Sequence, residues 1–270
     1  TSYTVSSIPY SPPFAFNTGT PILVDVDDRW SAALTLPFNF CFFGNTYNRI
    51  IVGSKDDCSF NIANAGATNS WQIPGTIPSA NPADLTNCIM APWQDIDPTN
   101  QGDIYYEIGG TFPCRYIKIS WFNVPYYGDP NSVNTSYCQG VARRAIQQVV
   151  LYETSNAIEM YIQRKDVCSD WNGGRATQGI QNANGTVAYV VPGRNGTVWT
   201  ANNDAWRFTP SGTQNYTINW YDGTTLVGSG NTVSVCPTTG TTYRAEATYT
   251  LCANTQVVVN SYVYVNRSGV

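Results

Sequence analysis

Leu34-Thr35-Leu36-Pro37-Phe38-Asn39-Phe40-Cys41-Phe42 decides the fold class. Leu34, Leu36, Phe38, Phe40 and Phe42 fall on one face, and Thr35, Pro37, Asn39 and Cys41 on the other. A period of two held over this length is a half-buried β-strand. Pro37 has no backbone donor, which assigns the strand to an edge or a bulge. Gly44-Asn45-Thr46 then turns the chain into a strand at 49–52. A second turn at 53–57 leads into 58–62.

Composition agrees with an all-β chain. Aromatics make up 13% of the sequence, with 18 Tyr, and charged residues only 12%, about half the usual share of roughly 25%. Tyr and Thr suit pleated strands, and Asn and Gly suit turns. The chain has no histidine. A Ser-His-Asp triad, a Cys-His dyad and a His-metal site are therefore excluded, leaving carboxylates, Tyr and Lys for any chemistry. A net charge of −4 with 14 basic residues is no nucleic-acid footprint. No apolar run reaches the roughly 20 residues of a membrane span, so no transmembrane segment is expected. Thr1 opens no signal-peptide pattern, so a processed chain is expected.

Eight cysteines, spread without C-x-x-C pairs, read as disulfides formed outside a reducing cytoplasm. The candidates are Cys41, Cys58, Cys88, Cys114, Cys138, Cys168, Cys236 and Cys252. Fifteen pairings are open among the first six. Cys114 with Cys138 would clasp the excursion that follows the strand at 115–124, and Cys236 with Cys252 would staple the C-terminal module.

Domain limits follow the punctuation. Residues 1–20, with Pro9, Pro12 and Pro13, read as an extended N-terminal arm, with a sheet strand as the equal alternative. Residues 21–210 form the main β domain and 211–270 a small β-sandwich, jointed at Pro210-Ser211-Gly212-Thr213. A short strand at 22–26 ends in Asp25, Asp27 and Asp28, an acidic cluster with either a solvated-edge or a cation-binding reading. The polar stretch 63–87 is long for a loop and is expected to be held by a disulfide. Hairpins are expected at 103–108 with 115–124, at 145–152 with 157–163, and at 178–181 with 186–191. The last turns at Asn184-Gly185. In the 115–124 strand Ile117, Ile119 and Trp121 face the core, and Lys118 and Ser120 face out.

Several ordered stretches resemble the nidogen-like (NIDO) domain family, as found in surface proteins of Bacteroidota. They are 36–44, Ile51-Val52-Gly53-Ser54, Ile89-Met90-Ala91-Pro92-Trp93-Gln94-Asp95-Ile96-Asp97, Gly102-Asp103-Ile104-Tyr105-Tyr106, Trp171-Asn172-Gly173-Gly174, Gly179-Ile180-Gln181-Asn182 and Trp206-Arg207-Phe208-Thr209-Pro210. Ile218-Asn219-Trp220-Tyr221-Asp222-Gly223 and Val233-Ser234-Val235-Cys236-Pro237 similarly look like the Ig-like repeat of those proteins. The resemblance implies a NIDO-like β-sandwich followed by a small Ig-like β-sandwich. It also implies a secreted or cell-surface adhesin exported by the type IX pathway, without catalysis.

Candidate site residues come in two sets. Asp95, Asp97, Asn100 and Asp103 offer oxygen ligands at spacings calcium could use, though without the Gly and Glu of an EF-hand loop; equally, such carboxylates cap turns. Asp95 and Asp97 as an acid/base pair would need an apolar setting, and the adjoining Pro98-Thr99-Asn100 turn reads as wet. Trp71, Tyr126, Tyr127, Trp171 and Trp199 lie in or beside polar loops, where they could stack on sugar rings or cover the loops. The expected partners are a cell-surface or matrix protein or glycan. The rival role is a structural subunit of an extracellular filament or surface layer, in which the arm at 1–20 or the tail at 256–265 adds to a neighbour's sheet edge.

Overall fold

The alternation in the opening stretch becomes β3 (Leu34–Phe42), in which Leu36, Phe38, Phe40 and Phe42 are buried while Thr35, Pro37 and Asn39 are exposed. The computed structural model describes residues 2–22, 24, 26–72, 75–130, 132, 137–138, 142–211, 216–250 and 256–266. They divide into one unit at 1–43 and 47–210 and a second at 44–46 and 211–270.

Two sheets make the first unit. One runs β1 (Ser2–Ser7), β14 (Ala201–Ser211), β10 (Ile158–Lys165), β9 (Arg144–Tyr152), β8 (Tyr116–Pro125), β7 (Asp103–Gly109), β2 (Thr20–Pro21). The other runs β12 (Ala188–Val190), β11 (Arg175–Gln181), β6 (Cys88–Trp93), β5 (Asp57–Ser59), β4 (Asn45–Val52), β3, with β13 (Thr197–Val198) beside β11. Pro37 thus sits on an edge strand, where its missing donor costs no ladder bond. Phe38, Phe40, Val52, Ile89 and Ile180 of the second sheet meet Ile117, Ile119, Trp121, Val149, Met160 and Phe208 of the first in one core. That is a β-sandwich. Each such side chain, fully buried, contributes about 1.5–3 kcal/mol.

Both outer faces are covered as well. On the first sheet, Ile8, Tyr10, Phe14 and Phe16 pack on Val150, Tyr161 and Ala205. Lys118 donates from that sheet to the Ala15 carbonyl at 3.0 Å and the Thr18 carbonyl at 2.5 Å. The N-terminal residues are therefore no free arm: 2–7 add a strand beside β14, and 8–18 strap the sheet. Lys118 and Ser120 do point away from the core, but the strap buries them completely.

The second sheet is covered by the long loop. Ile77 and Leu85 pack with Trp30 onto Ile51, Cys88, Met90 and Trp93, so every residue of β6 is buried. Polar ties complete the attachment. Asp84 accepts from Ser70 N (2.8 Å), Ser70 Oγ (2.6 Å) and Trp30 Nε1 (3.2 Å). Asn195 bonds both backbone groups of Ile77. The expected disulfide is not what holds the loop: Cys58 and Cys88 are both free. They neighbour each other across β5 and β6, but Cys58 pairs with Ile89 and Cys88 with Ser59. The one-residue offset sends their thiols to opposite faces.

Cys138 pairs with Cys168, which overturns the Cys114–Cys138 expectation; Cys114 is free and exposed. The excursion is clasped to the segment after β10, in space rather than along the hairpin. Cys41 is disulfide-bonded. Cys236 is a free, exposed thiol, and its expected partner Cys252 lies outside the described residues, as does Asp25.

The second unit, among the described residues, is one four-stranded antiparallel sheet: β16 (Thr225–Ser229), β15 (Tyr216–Asp222), β17 (Thr241–Thr250), β18 (Gln256–Val265). Register places Ile218, Ala247 and Val259 side by side, and likewise Trp220, Ala245 and Ser261. Arg244 and Glu246 pair on the opposite face at 2.7 Å. This sheet stands where an Ig-like sandwich is expected.

Leu85→Ala tests whether the loop is held by packing. The expected cost is about 2–5 kcal/mol in denaturant unfolding; a loss under about 1 kcal/mol would mean that the loop merely lies on the sheet.

Candidate functional site: a buried lysine–carboxylate centre and its aromatic rim

The turn from β4 to β5, Gly53-Ser54-Lys55-Asp56-Asp57, is entirely buried. Its backbone is tied on every side. Gly53 N–H donates to the Asp57 carbonyl (2.8 Å), Ser54 N–H to Arg29 (3.0 Å), and Ala91 N–H to the Asp56 carbonyl (2.9 Å). The Trp121 indole donates to Gly53 O at 2.9 Å. Gly53 is required by close approach, because a Cβ there would overlap the Asp57 carboxylate and the Asn69 amide.

The turn delivers Lys55 Nζ into a nest of oxygens. It pairs with Asp27, with Asp28 at 2.7 Å and with Asp95 at 2.6 Å, and it donates to the Ile96 carbonyl at 2.8 Å. Burial alone would lower the Lys55 pKa, but Asp95, Asp27 and Asp28 together lift it above its ordinary value. The cation is therefore locked on. Burial raises Asp27 to about 6 against the pull of Lys55. Asp95 is raised by the same burial, opposed by Lys55 and by the Trp171 indole that donates to it.

Beside this centre lie two carboxyls, Asp56 and Asp57, that make no ion pair among the described residues. Burial pushes Asp57 up to about 8, opposed by the Asn69 amide at 2.9 Å. Burial likewise raises Asp56 well above the carboxylate range, opposed by Gln94 and Gln147. Lys165 is driven down to about 7 by burial, with Asp56 opposing. It donates to the Trp199 and Asp166 carbonyls at 2.9 and 3.1 Å.

The expected calcium residues do not converge. Asp95 belongs to the Lys55 centre. Asp97 is wholly buried and accepts from Thr99 N–H (3.0 Å) and Ser132 Oγ (2.7 Å), the turn-capping alternative. Asn100 and Asp103 are exposed. Among the described residues the one converging carboxylate group is Asp27, Asp28 and Asp95, and the cation at its middle is Lys55. For Asp27 and Asp28 the cation-binding reading is met from within the chain.

The five aromatics separate. Tyr126 is buried, its hydroxyl 2.9 Å from Gln94 Oε1 and 2.8 Å from the Asp166 carbonyl. Trp199 is clamped between Lys165 and Arg194, 4.4 and 4.3 Å from its ring centre. Trp171 groups with Tyr137 (4.7 Å) and Tyr127 (5.3 Å), in the segments that Cys138–Cys168 joins. Trp71 lines an open hollow of about 240 Å³ with Ser70, Gln72, Asn81 and Pro82, whereas Tyr126 and Trp171 line a much smaller one of about 20 Å³ with Asp95 and Lys165. A neighbouring hollow of about 110 Å³ shares Asn81 and Pro82 and is floored by Ile77, Leu85, Met90 and Trp93. Asn172 Nδ2 donates to the Trp71 carbonyl at 3.1 Å, joining this rim to the Trp171 loop.

Sequence reasoning missed Lys55, Asp56, Asp57, Asn69 and Lys165. A Lys-Asp-Asp run between strands looks like a turn tip, and its partners are 28 and 40 positions away. One local signal was present: Gly53-Ser54, a small pair that permits close packing.

Lys55→Met leaves three carboxylates without their cation and is expected to cost about 3–5 kcal/mol; an unchanged denaturation midpoint would show the centre to be incidental. The pH dependence is equally specific. Folded Asp57 and Asp27 hold protons to about 8 and 6, whereas the ordinary carboxyl value is 3.8. The folded chain therefore binds more protons over that window, and its stability falls as pH rises through it. Lys165, lowered from 10.5 to about 7, acts in the opposite sense but mainly above pH 7. The melting temperature should rise from pH 7 to pH 5, and less so in Asp57→Asn. A steady fall over that interval would exclude a protonated Asp57.

The family model described as "NIDO related" matches residues 2–221. No curated protein and no solved structure matches the chain. The match takes in all the strands of the sandwich, the lysine turn and the Trp71 loop, and on that extent the chain belongs to the NIDO-related family.

Proposed function

We propose that this chain is an extracellular, non-catalytic adhesion or interaction module. The observation that carries the reading is the state of the buried Lys55 cluster. Lys55 is saturated by three carboxylates and a carbonyl, so that cluster joins segments and presents no acid or base to a substrate. Recognition then falls to the covering loops, where Trp71 stands exposed. Family membership and the Cys138–Cys168 disulfide suit an oxidising, extracellular setting. No helix among the described residues is long and apolar enough to cross a membrane. In its finer form the proposal is a cell-surface adhesin of a Bacteroidota-like envelope, exported by the type IX pathway, as the ordered stretches from 36 to 210 suggest.

A second reading, a filament or surface-layer subunit, draws support from β18. Its outer edge has no partner strand among the described residues, and Tyr262 and Tyr264 are 67% and 63% exposed. The N-terminal strand is a poorer donor, being already engaged beside β14.

Light scattering on the purified chain, followed by binding of chain-coated beads to cells and matrix, separates the two. Monomers that confer bead adhesion support the module. Regular polymers that Tyr262→Lys dissolves would replace it with the filament subunit. Beads that stay inert while the chain turns over a substrate would sink both.

A further inference from the structure

We propose that the hollow beside Trp71 is a binding site for neutral carbohydrate, with a sugar ring stacked on the Trp71 indole and its hydroxyls held by the Gln72 and Asn81 amides. The inference rests on reading the chain as an extracellular interaction module and names the class of its ligand.

Three observations carry it. First, Trp71 is 37% exposed, although tryptophan is among the most thoroughly buried residues on average. Its exposure does not come from a loose loop. The preceding Ser70 is fixed by Asp84 at both N and Oγ, and its carbonyl accepts from the Trp93 indole at 2.8 Å. The Trp71 carbonyl is held by Asn172. The backbone that carries the ring is thus preorganised, which lowers the ordering cost of binding.

Second, the polar groups at the rim are unspent. The side-chain amides of Gln72 and Asn81 make no hydrogen bond among the described residues, while Asn69, Asn172, Gln181 and Asn195 nearby are all committed. Each amide offers donors and an acceptor together, which suits hydroxyls that both give and take. Third, among the described residues none that lines either hollow is charged. A site for a phosphate, a sulfated glycan or an ammonium group would have an opposite charge at hand. An exposed aromatic plane, convergent neutral amides and an open groove match a neutral saccharide. A proline-rich peptide also favours aromatic grooves, but such grooves are lined by several aromatics, and here one is exposed.

The test is a glycan array of neutral and anionic oligosaccharides probed with the full chain, then calorimetric titration of the hits while Trp fluorescence is followed. Neutral glycans should bind and shift the emission. Trp71→Ala should weaken binding at least tenfold, and the double change Gln72→Ala with Asn81→Ala should do so as well. Both should keep the melting temperature of the native chain, since neither alters a buried contact. An array blank for neutral glycans, hits confined to anionic ones, or capture of proline-rich peptides instead would overturn the proposal. Glycan binding that survives in a folded Trp71→Ala variant would overturn it too. Bead adhesion that persists in that variant would refute this site while leaving the adhesion reading standing. Array hits lost on Trp71→Ala, with no bead adhesion by the native chain, would uphold the site and sink the adhesion reading.

Discussion

The contact on which the rest depends is the Lys55 ammonium among Asp27, Asp28 and Asp95. It gathers three stretches distant in sequence: the approach to β3, the turn from β4 to β5, and the exit from β6. Removing these charges from water is costly, and only their mutual attraction and added hydrogen bonds offset it. Half-formed, the centre would be worse than none, because Lys55 and Asp95 without their partners are buried bare charges. The geometry is therefore close to all-or-none. It fixes where β6 leaves its sheet, and through Asp95 it fixes the Trp171 indole and the aromatic group around it.

A second constraint follows from β6. Its two faces are both apolar, Ile89 and Ala91 inward and Cys88, Met90 and Trp93 outward. A strand apolar on both faces must be covered on both. Among its described residues the 63–87 loop does this with Ile77 and Leu85 as apolar anchors, and polar ties at Asp84 and Asn195 add to the attachment. Trp30 and Trp93 are drawn under the loop and satisfy their indole N–H groups on it. Trp71, three residues past the Arg29–Thr68 bridge, is carried over the top and left at the mouth of a hollow. Its exposure follows from the way the sheet is sealed.

What could be read from sequence was whatever is local. Leu34 to Phe42 declared its strand because burial alternates with the pleat, and Asn184-Gly185 declared its hairpin because few residues accept φ > 0. What could not be read was set by distant partners. Pro9, Pro12 and Pro13 gave the N-terminal segment the look of a free arm, yet Phe14 stacks on Tyr116 at 4.1 Å and Phe16 is buried. Nothing near Phe16 in sequence announces the outer sheet face that receives it. Nothing near Arg144 in sequence announces Asp129, which draws its guanidinium inside at 3.3 Å. Cysteine pairing failed for the same reason: spacing along the chain does not say that 138 and 168 meet. The candidate site divided likewise. Trp71 was legible as an aromatic in a polar loop, whereas Asp95 and Asp97 were legible as carboxylates and illegible as to partner.

The scarcity of charge links stability to recognition. A chain only 12% charged nonetheless buries Lys55, Asp56, Asp57, Asp97, Lys118, Asp129 and Lys165 to 1% exposure or less. Charge is thus spent on joining segments in the interior, where pairing in a low dielectric is strong and screening by salt is weak. The surface loops keep amides, hydroxyls and aromatic rings. Such a surface exerts little long-range steering, since steering needs a field of one sign. Any selectivity of such a surface rests on contact rather than on long-range field. That division accounts for a molecule whose ionisable cluster looks like machinery and acts as a joint, while the covering loop, tied down through Asp84, leaves one tryptophan exposed beside neutral amides.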